Sequence, residues 1–210
     1  MIYLLSTTYL GPIQYFTKFV AAEKIILEQF EHYPKQSYRN RCVIYGANGP
    51  LSLTVPVTKG NQLKIYTRDL RIDSSVNWQK IHLKAIESAY NNSPFYEYYI
   101  DEFLPILNKP YTFLYDMNFD LIKLLCRLIT IDVPIEHTAS YVYTPAKGIM
   151  DMRNEILPKA KQYKTDDQFK AAEYHQVFSL KHGFVKNLSI IDLLFNTGPD
   201  CRQHLISSII

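Results

Sequence analysis

The chain has 210 residues, 47% hydrophobic and 20% charged, which is the composition of a globular domain and excludes intrinsic disorder, collagen and coiled coil. A formal charge of +3 is too small to indicate a nucleic-acid-binding protein. Seven glycines argue against glycine-rich phosphate loops, whereas 17 tyrosines suit a binding cleft or an aromatic core.

The first third of the chain predicts a β-α-β unit followed by a β-hairpin. Ile2–Ser6 and Lys24–Phe30 are apolar enough to form buried strands. Gly11-Pro12 ends the first strand and predicts a helix from about Gln14. The alternating sequence around Asn48-Gly49 is the strongest hairpin signal. The strands of this hairpin, and one further expected strand, are Cys42–Tyr45, Leu51–Val57 and Ile65–Ile72.

Helical periodicity replaces alternation after residue 75. Ser75 is a candidate cap for a helix through Trp78 and Ala89, and Pro94 starts a second helix over Phe95–Leu107. Asp116 is a candidate cap for a third helix.

The last third of the chain predicts strands and helices around a polar segment. Strands are expected at Ile135–Tyr143 and Tyr174–Phe178, with a long surface segment or lid at Pro145–Lys170. A short helix at Ser189–Phe195 ends before Gly198-Pro199, and a last helix follows. The sequence therefore predicts one α/β domain over residues 1–210, with a mixed sheet, an N-terminal β-α-β unit, a β-hairpin and a helical middle section.

Charge is unevenly distributed along the chain. Residues 32–71 hold seven Lys or Arg and one acid, whereas residues 87–136 hold eight acids and three bases. The basic stretch suits an anionic ligand or an acidic partner, although a solvated basic face has the same composition. The three cysteines lack metal-ligand or paired spacing, which favours reduced thiols and a cytoplasmic location.

The segment Tyr33–Arg41 holds the highest density of reactive and binding groups. Lys35, Arg39 and Arg41 supply three cations beside Asn40, and guanidinium groups bind phosphate or carboxylate through two parallel hydrogen bonds. If residues 38–41 are extended, Arg39 and Arg41 share one face. The segment is either an anion site or a polar lead into the hairpin.

Other candidates each have a structural alternative. His82, on the apolar side of its helix, is either a general base or a hydrogen-bonded core residue. Asp192 follows Ser189 by three residues, which fits a capping box and explains the acid without a function. Gln14 follows the first strand, at the position where α/β proteins bind ligands, and it is either a ligand contact or part of a plain tight turn. Asn187 is either a helix cap or a ligand contact.

Four blocks of sequence together resemble the WbqC-like family of bacterial proteins. The blocks are YLGPIQYF, YPKQSYRNRCVIYGANGPLSLTVPV, WQKIHLKAIESAYNNSPFYEYY and FVKNLSIIDLLFNTGP, and they extend from Tyr9 to Pro199. The polar positions that they carry are Gln14, Lys35, Arg39, Asn40, Arg41, His82, Tyr90 and Asn187.

The resemblance implies a cytoplasmic protein of O-antigen or other surface polysaccharide synthesis. We expect a transferase acting on a nucleotide-linked or phosphorylated amino sugar, with glycyl transfer as one reaction of this class. His82 would be the catalytic base, and the other seven positions would bind substrate. The alternative is a non-catalytic protein that binds a sugar nucleotide or a partner. No metal, cofactor, nucleic acid or membrane span is expected, and a homo-oligomer is compatible with the sequence.

Overall fold

A parallel sheet organises the protein, whose computed structural model describes residues 1–58, 60, 64–158 and 166–210. The strands are β1 (Ile2–Ser6), β2 (Lys24–Glu28), β3 (Arg41–Gly46), β4 (Gly49–Thr54), β5 (Val57–Thr58), β6 (Arg71–Ile72), β7 (Ile135–His137) and β8 (Ile149–Asp151). The α-helices are α1 (Ile13–Ala21), α2 (Trp78–Tyr90), α3 (Tyr96–Leu107), α4 (Leu114–Leu128), α5 (Ser179–His182), α6 (Ile190–Thr197) and α7 (Cys201–Ser207).

The main sheet has the strand order β7-β2-β1-β8, and all of its pairings are parallel. Helix α1 connects β1 to β2, which confirms the predicted β-α-β unit. Because parallel strands end at the same edge, the carboxyl-terminal residues Ser6, Glu28, His137 and Asp151 are brought to one side of the sheet. The chain leaves β1 toward β2 on one side while β8 lies on the other, so a crevice forms at this edge.

The predicted hairpin is also confirmed, and it is separate from the parallel sheet. Strands β3 and β4 pair antiparallel from Arg41↔Thr54 to Gly46↔Gly49. Gly49 has a φ of 103°, a conformation that favours glycine at this turn. The parallel and antiparallel strand pairs thus belong to different sheets of the same α/β protein. The short antiparallel pair β5-β6 forms a third sheet.

The helical middle section is confirmed, but its helices begin differently from the prediction. Asn77 caps α2, since its side chain accepts a hydrogen bond from the Lys80 backbone N–H at 3.2 Å. Ser75 instead donates its own N–H to Asp73 in a local turn. Asp116 lies in the first turn of α4 rather than at its cap.

Two predicted strands are much shorter in the structure. Ile65–Ile72 is interrupted by a 3₁₀ turn at Thr67–Asp69, which leaves only β6. Ile135–Tyr143 ends as a strand at His137, and Thr138 then bonds to the end of β2. A short apolar run predicts extended backbone, but it does not determine how many of its residues pair with a neighbouring strand.

The last two differences concern the carboxyl-terminal third. Tyr174–Phe178 forms no strand. The predicted surface segment Pro145–Lys170 contains β8, which adds to the main sheet through Ile2↔Ile149, while residues 159–165 lie outside the described residues. No helix of the described chain has the length and hydropathy needed to cross a bilayer.

Candidate functional site

An open cavity of about 370 Å³ lies at the carboxyl edge of the parallel sheet, and we call it cavity A. It is lined by residues that include Glu31, Arg39, Tyr66, Tyr141, Tyr143 and Arg153. Glu31 and Arg153 follow strands β2 and β8 closely, so the sheet itself fixes their positions. Ligands of open α/β sheets bind at this edge.

A buried ion pair forms one wall of cavity A. Arg39 donates from Nε and Nη2 to the two carboxylate oxygens of Glu31 at 2.7 and 2.6 Å. Nη2 also donates to the hydroxyl of Ser6, the last residue of β1, at 2.6 Å. The third nitrogen of the guanidinium group, Nη1, donates to no described residue. This fork is therefore oriented by the protein, and its Nη1 has no hydrogen-bond partner among the described residues.

A second arginine is held in the same way by the ends of β2 and β8. Arg153 donates to both oxygens of Asp151 at 2.9 and 2.6 Å and from Nη1 to Glu28 at 2.9 Å. Glu28 is fully buried and accepts further bonds from the backbone and from Thr138. Glu28 and Asp151 lie behind the wall of cavity A rather than in it. The lining itself thus carries two positive groups and one negative group.

Aromatic rings form the outer part of cavity A. Tyr143 is 88% exposed, and Tyr66 and Tyr141 are about 40% exposed, so their surfaces are open to solvent. Tyr66 stacks on His32 with ring centroids 5.0 Å apart, and Arg153 lies 5.0 Å from the centre of the Tyr141 ring. Flat apolar faces with polar edges suit the planar base or pyranose ring of a sugar nucleotide.

The basic segment that the sequence singled out is only partly at cavity A. Arg39 lines it, and exposed Lys35 follows the lining residue Pro34. Asn40 is buried and donates to the carbonyl of Val55 at 2.9 Å, which ties the segment to the hairpin. Lys59, one of the seven basic residues of this stretch, lies outside the described residues.

The condition under which Arg39 and Arg41 would share one face, an extended backbone over residues 38–41, is not met. Residues 38–40 form a turn rather than extended backbone, which removes the alternation on which that expectation rested. Arg39 points into its pair with Glu31, whereas Arg41 lies on β3 and donates to Thr54 at 3.3 Å. Asn118 fixes the turn by donating to the Arg39 carbonyl at 2.7 Å.

His82 lies in the core and lines none of the described cavities. Its Nδ1 is hydrogen-bonded to the Tyr9 hydroxyl at 2.8 Å, and Trp78 packs edge-on against its ring. Burial lowers the pKa of His82 to about 4, against a smaller opposing effect from the Thr54 backbone. Of the two alternatives that the sequence left open, this environment favours the hydrogen-bonded core residue.

The capping-box interpretation of Asp192 is wrong. The hydroxyl of Ser189 donates to the Leu10 carbonyl at 2.6 Å instead of capping α6. The Asp192 carboxylate is fully buried and accepts from Tyr90 at 2.8 Å and from Tyr174 at 2.5 Å. Burial raises the pKa of Asp192 to about 6, although these hydrogen bonds act in the opposite direction. Tyr90, a predicted substrate contact, is committed to this core network.

Gln14 and Asn187 contact each other and hold the two ends of the chain together. The Gln14 backbone N–H donates to Asn187 Oδ1 at 2.9 Å, and Asn187 Nδ2 donates to Gln14 Oε1 at 3.1 Å. The amide of Gln14 also reaches Asp166, which forms a buried ion pair with Lys18 at 2.7 Å. These bonds fix the start of α1, and neither residue lines a described cavity.

The three cysteines, Cys42, Cys126 and Cys201, are buried and unpaired with one another. Burial raises the pKa of each thiol, that of Cys126 to about 12, so none is held as a thiolate. Within the described residues, no group of three or more His, Cys, Asp or Glu is placed to hold a metal ion.

Sequence reasoning missed most of the lining of cavity A. Glu31 stands one position before the basic stretch counted from residue 32, and it neutralises the central arginine of that stretch. Arg153 follows the three-residue strand β8, which lies inside a segment that the sequence predicts to be irregular. The sequence did hold one signal for this edge of the sheet: a charged residue directly after an apolar run, as at Glu28 in KIILE, marks the carboxyl end of a buried strand.

Comparisons with known proteins point to one family. The model of the WbqC-like protein family matches residues 7–204. The chain is also similar to Rv1507c of Mycobacterium tuberculosis, a protein described as uncharacterized, with 24% identity and 96% of each chain covered. No solved structure matches.

Proposed function

The chain belongs to the WbqC-like protein family, and from that premise we propose a transferase that binds a nucleotide-linked or phosphorylated sugar in cavity A. The observation that carries the proposal is the composition of this cavity: oriented arginines at its base and open tyrosine rings at its mouth. In this proposal the reaction belongs to bacterial surface-polysaccharide synthesis, and aminoacyl transfer to an amino sugar is one form of it.

The roles of the lining residues follow from their bonds. Arg39 offers its unused Nη1 to a phosphate or carboxylate oxygen, while Glu31 keeps the guanidinium plane fixed. Lys35 adds charge from the exposed turn beside the cavity. Tyr141 and Tyr143 meet edge to face, with ring centroids 4.8 Å apart, and would cover the ring of the ligand.

A non-catalytic binding protein is the second candidate, and one observation favours it. The lining of cavity A contains a single imidazole, His32, which is exposed and stacked on Tyr66. His82 is hydrogen-bonded in the core instead. The cavity therefore supports ligand binding more directly than proton transfer.

Thermal denaturation with UDP-N-acetylglucosamine tests the proposal. Ligand at 100 times its Kd adds about 2.7 kcal/mol of stability, which raises the melting temperature by about 5–10 °C in a chain of this size. Tyr143→Ala should reduce the rise, and Arg39→Lys, which keeps the charge but loses the fork, should reduce it further. Tyr98→Ala is the matched control, because Tyr98 is 78% exposed and does not line cavity A.

Two results would count against the proposal. If neither UDP-N-acetylglucosamine nor UMP changes the melting temperature of the wild-type protein, cavity A is not a sugar-nucleotide site. If the ligand binds but wild-type protein converts it to no product with a panel of acyl and glycosyl acceptors, the non-catalytic alternative is the better one.

A further inference from the structure

A second cavity, of about 390 Å³, lies on the same edge of the sheet, and we call it cavity B. It is lined by residues that include Gln29, Arg68, Asp69, Tyr115, Asp116 and His137. His137 ends β7, and Gln29 follows β2, so cavity B adjoins the carboxyl ends of these two strands. Phe30 of cavity A packs against the Arg68 guanidinium at 4.9 Å, which makes this contact part of the wall between the cavities.

An imidazole and a phenol form a direct pair in cavity B. The hydroxyl of Tyr115 and Nδ1 of His137 are 2.6 Å apart. Tyr115 is buried, whereas His137 is exposed and packs edge-on against Phe119 with ring centroids 4.6 Å apart. The bond to Tyr115 orients the ring. In the tautomer in which Nδ1–H donates to the Tyr115 oxygen, Nε2 is the acceptor nitrogen available to a ligand.

The charge balance of cavity B leaves one carboxylate uncompensated. Arg68 and Asp69 are paired at 3.4 Å. No described residue forms a hydrogen bond or an ion pair with the Asp116 carboxylate, which lies exposed in the first turn of α4. Gln29 uses its amide nitrogen on the Thr138 carbonyl at 2.6 Å, so its carbonyl oxygen remains as a further acceptor.

We propose that cavity B is a second ligand site, which takes the ammonium group of an amine-bearing small molecule. A primary ammonium group has three N–H donors and no acceptor. Cavity B offers the complementary set: the Asp116 carboxylate, the carbonyl oxygen of Gln29 and Nε2 of His137. The assignment does not require that cavity A bind a sugar nucleotide.

The aromatic rings of cavity B are not the groups on which the proposal rests. Arg71 already lies 5.3 Å from the ring centre of Phe113, and Lys123 lies 4.6 Å from that of Phe119. Lys123 is in turn paired with Asp120 at 2.9 Å, and Asp120 also pairs with Lys109 at 3.6 Å. The carboxylate of Asp116 therefore supplies the attraction, and the rings supply a surface for the rest of the ligand.

Titration of the ¹⁵N-labelled protein with ethanolamine tests the assignment, and ethylene glycol is the uncharged counterpart. Ethanolamine should shift the amide signals of residues 113–119 and of His137, and ethylene glycol should not. Asp116→Asn should weaken the apparent affinity by up to about fivefold, the upper end of the range for an exposed ion pair. Asp132→Asn is the matched control, because Asp132 is exposed just before β7, beyond the opposite end of that strand.

Equal shifts with both probes, or an unchanged affinity in Asp116→Asn, would overturn the assignment. A parallel titration with UDP-N-acetylglucosamine, followed at residues 30–39 and 141–153, separates this outcome from the proposed function. A response to ethanolamine without one to the sugar nucleotide would refute cavity A as a sugar site and leave cavity B standing. The reverse pattern would refute cavity B alone.

Discussion

Replacing His82 by glutamine should change the stability of the protein and its pH dependence, but not its ligand binding. The imidazole is 4% exposed, and its one hydrogen-bonded side-chain partner is Tyr9. Glutamine is similar in length and retains a polar atom that can reach the Tyr9 hydroxyl. At pH 7.5, where His82 is neutral in both states, we expect a loss of about 1–3 kcal/mol from imperfect pairing.

The pH dependence follows from the lowered pKa of His82. The native pKa is about 4, and an unfolded histidine titrates near 6.5. Between these values the unfolded chain binds more protons, so the free energy of unfolding falls as the pH falls. One pKa unit corresponds to about 1.4 kcal/mol, so acidification from pH 6.5 to 5 should remove about 2 kcal/mol through this group. His82→Gln should lack that component.

Urea denaturation at pH 5, 6, 7 and 7.5 measures both effects. Tyr9→Phe is an informative second variant, because it removes the hydrogen bond but keeps the imidazole and its pH dependence. His175→Gln controls for the loss of an exposed histidine.

Two outcomes would refute this reasoning. An unchanged pH slope in His82→Gln would show that the imidazole is not held neutral by burial. A variant with wild-type stability at every pH, but with turnover reduced by about 10²–10⁴, would make His82 the general base that the sequence suggested.

Two further predictions concern other buried groups. Asp192 has a native pKa of about 6 against about 3.9 unfolded, so its contribution to stability is present below pH 4 and is lost as the pH rises through 6. Urea denaturation of Asp192→Asn should show the variant gaining about 2 kcal/mol relative to wild type between pH 4 and 7. The three buried thiols should react with an aromatic disulfide reagent at pH 8 at least about 100-fold more slowly in native protein than in urea. Replacing Cys42, Cys126 or Cys201 by alanine should leave the ligand affinity, measured by thermal shift, within about tenfold of wild type.

The parts of the fold that depend on local sequence could be predicted. Strand β1 and the hairpin have the expected positions, because an apolar run bounded by Gly-Pro and an alternating pattern around Asn-Gly specify them within a few residues. Strand β8 could not be predicted, since it has three residues and is stabilised by its pairing with β1 rather than by its own pattern.

The candidate site was less accessible to sequence reasoning, because its groups meet across the fold. Ser189-x-x-Asp192 matches a capping box in sequence. In the structure the Asp192 carboxylate instead accepts a hydrogen bond from Tyr90, which lies 102 positions earlier in the chain. The basic stretch contributes Arg39 to the lining of cavity A, but counting residues from position 32 left out Glu31, which pairs with that arginine. Local patterns identify reactive residue types, and tertiary structure decides which of them face a cavity.

The energetics of the Glu31–Arg39 ion pair help to explain its position at the wall of cavity A. Removing both charges from water costs several kcal/mol, and a buried pair is often no more stabilising than apolar side chains of the same volume. Stability alone therefore does not explain an ion pair at this position. The pair does hold a guanidinium group in one orientation at the wall of cavity A, with one nitrogen not bonded to any described residue. A fixed donor that need not reorganise when an anion arrives is what a binding site requires, and this favours ligand recognition as the reason for the pair.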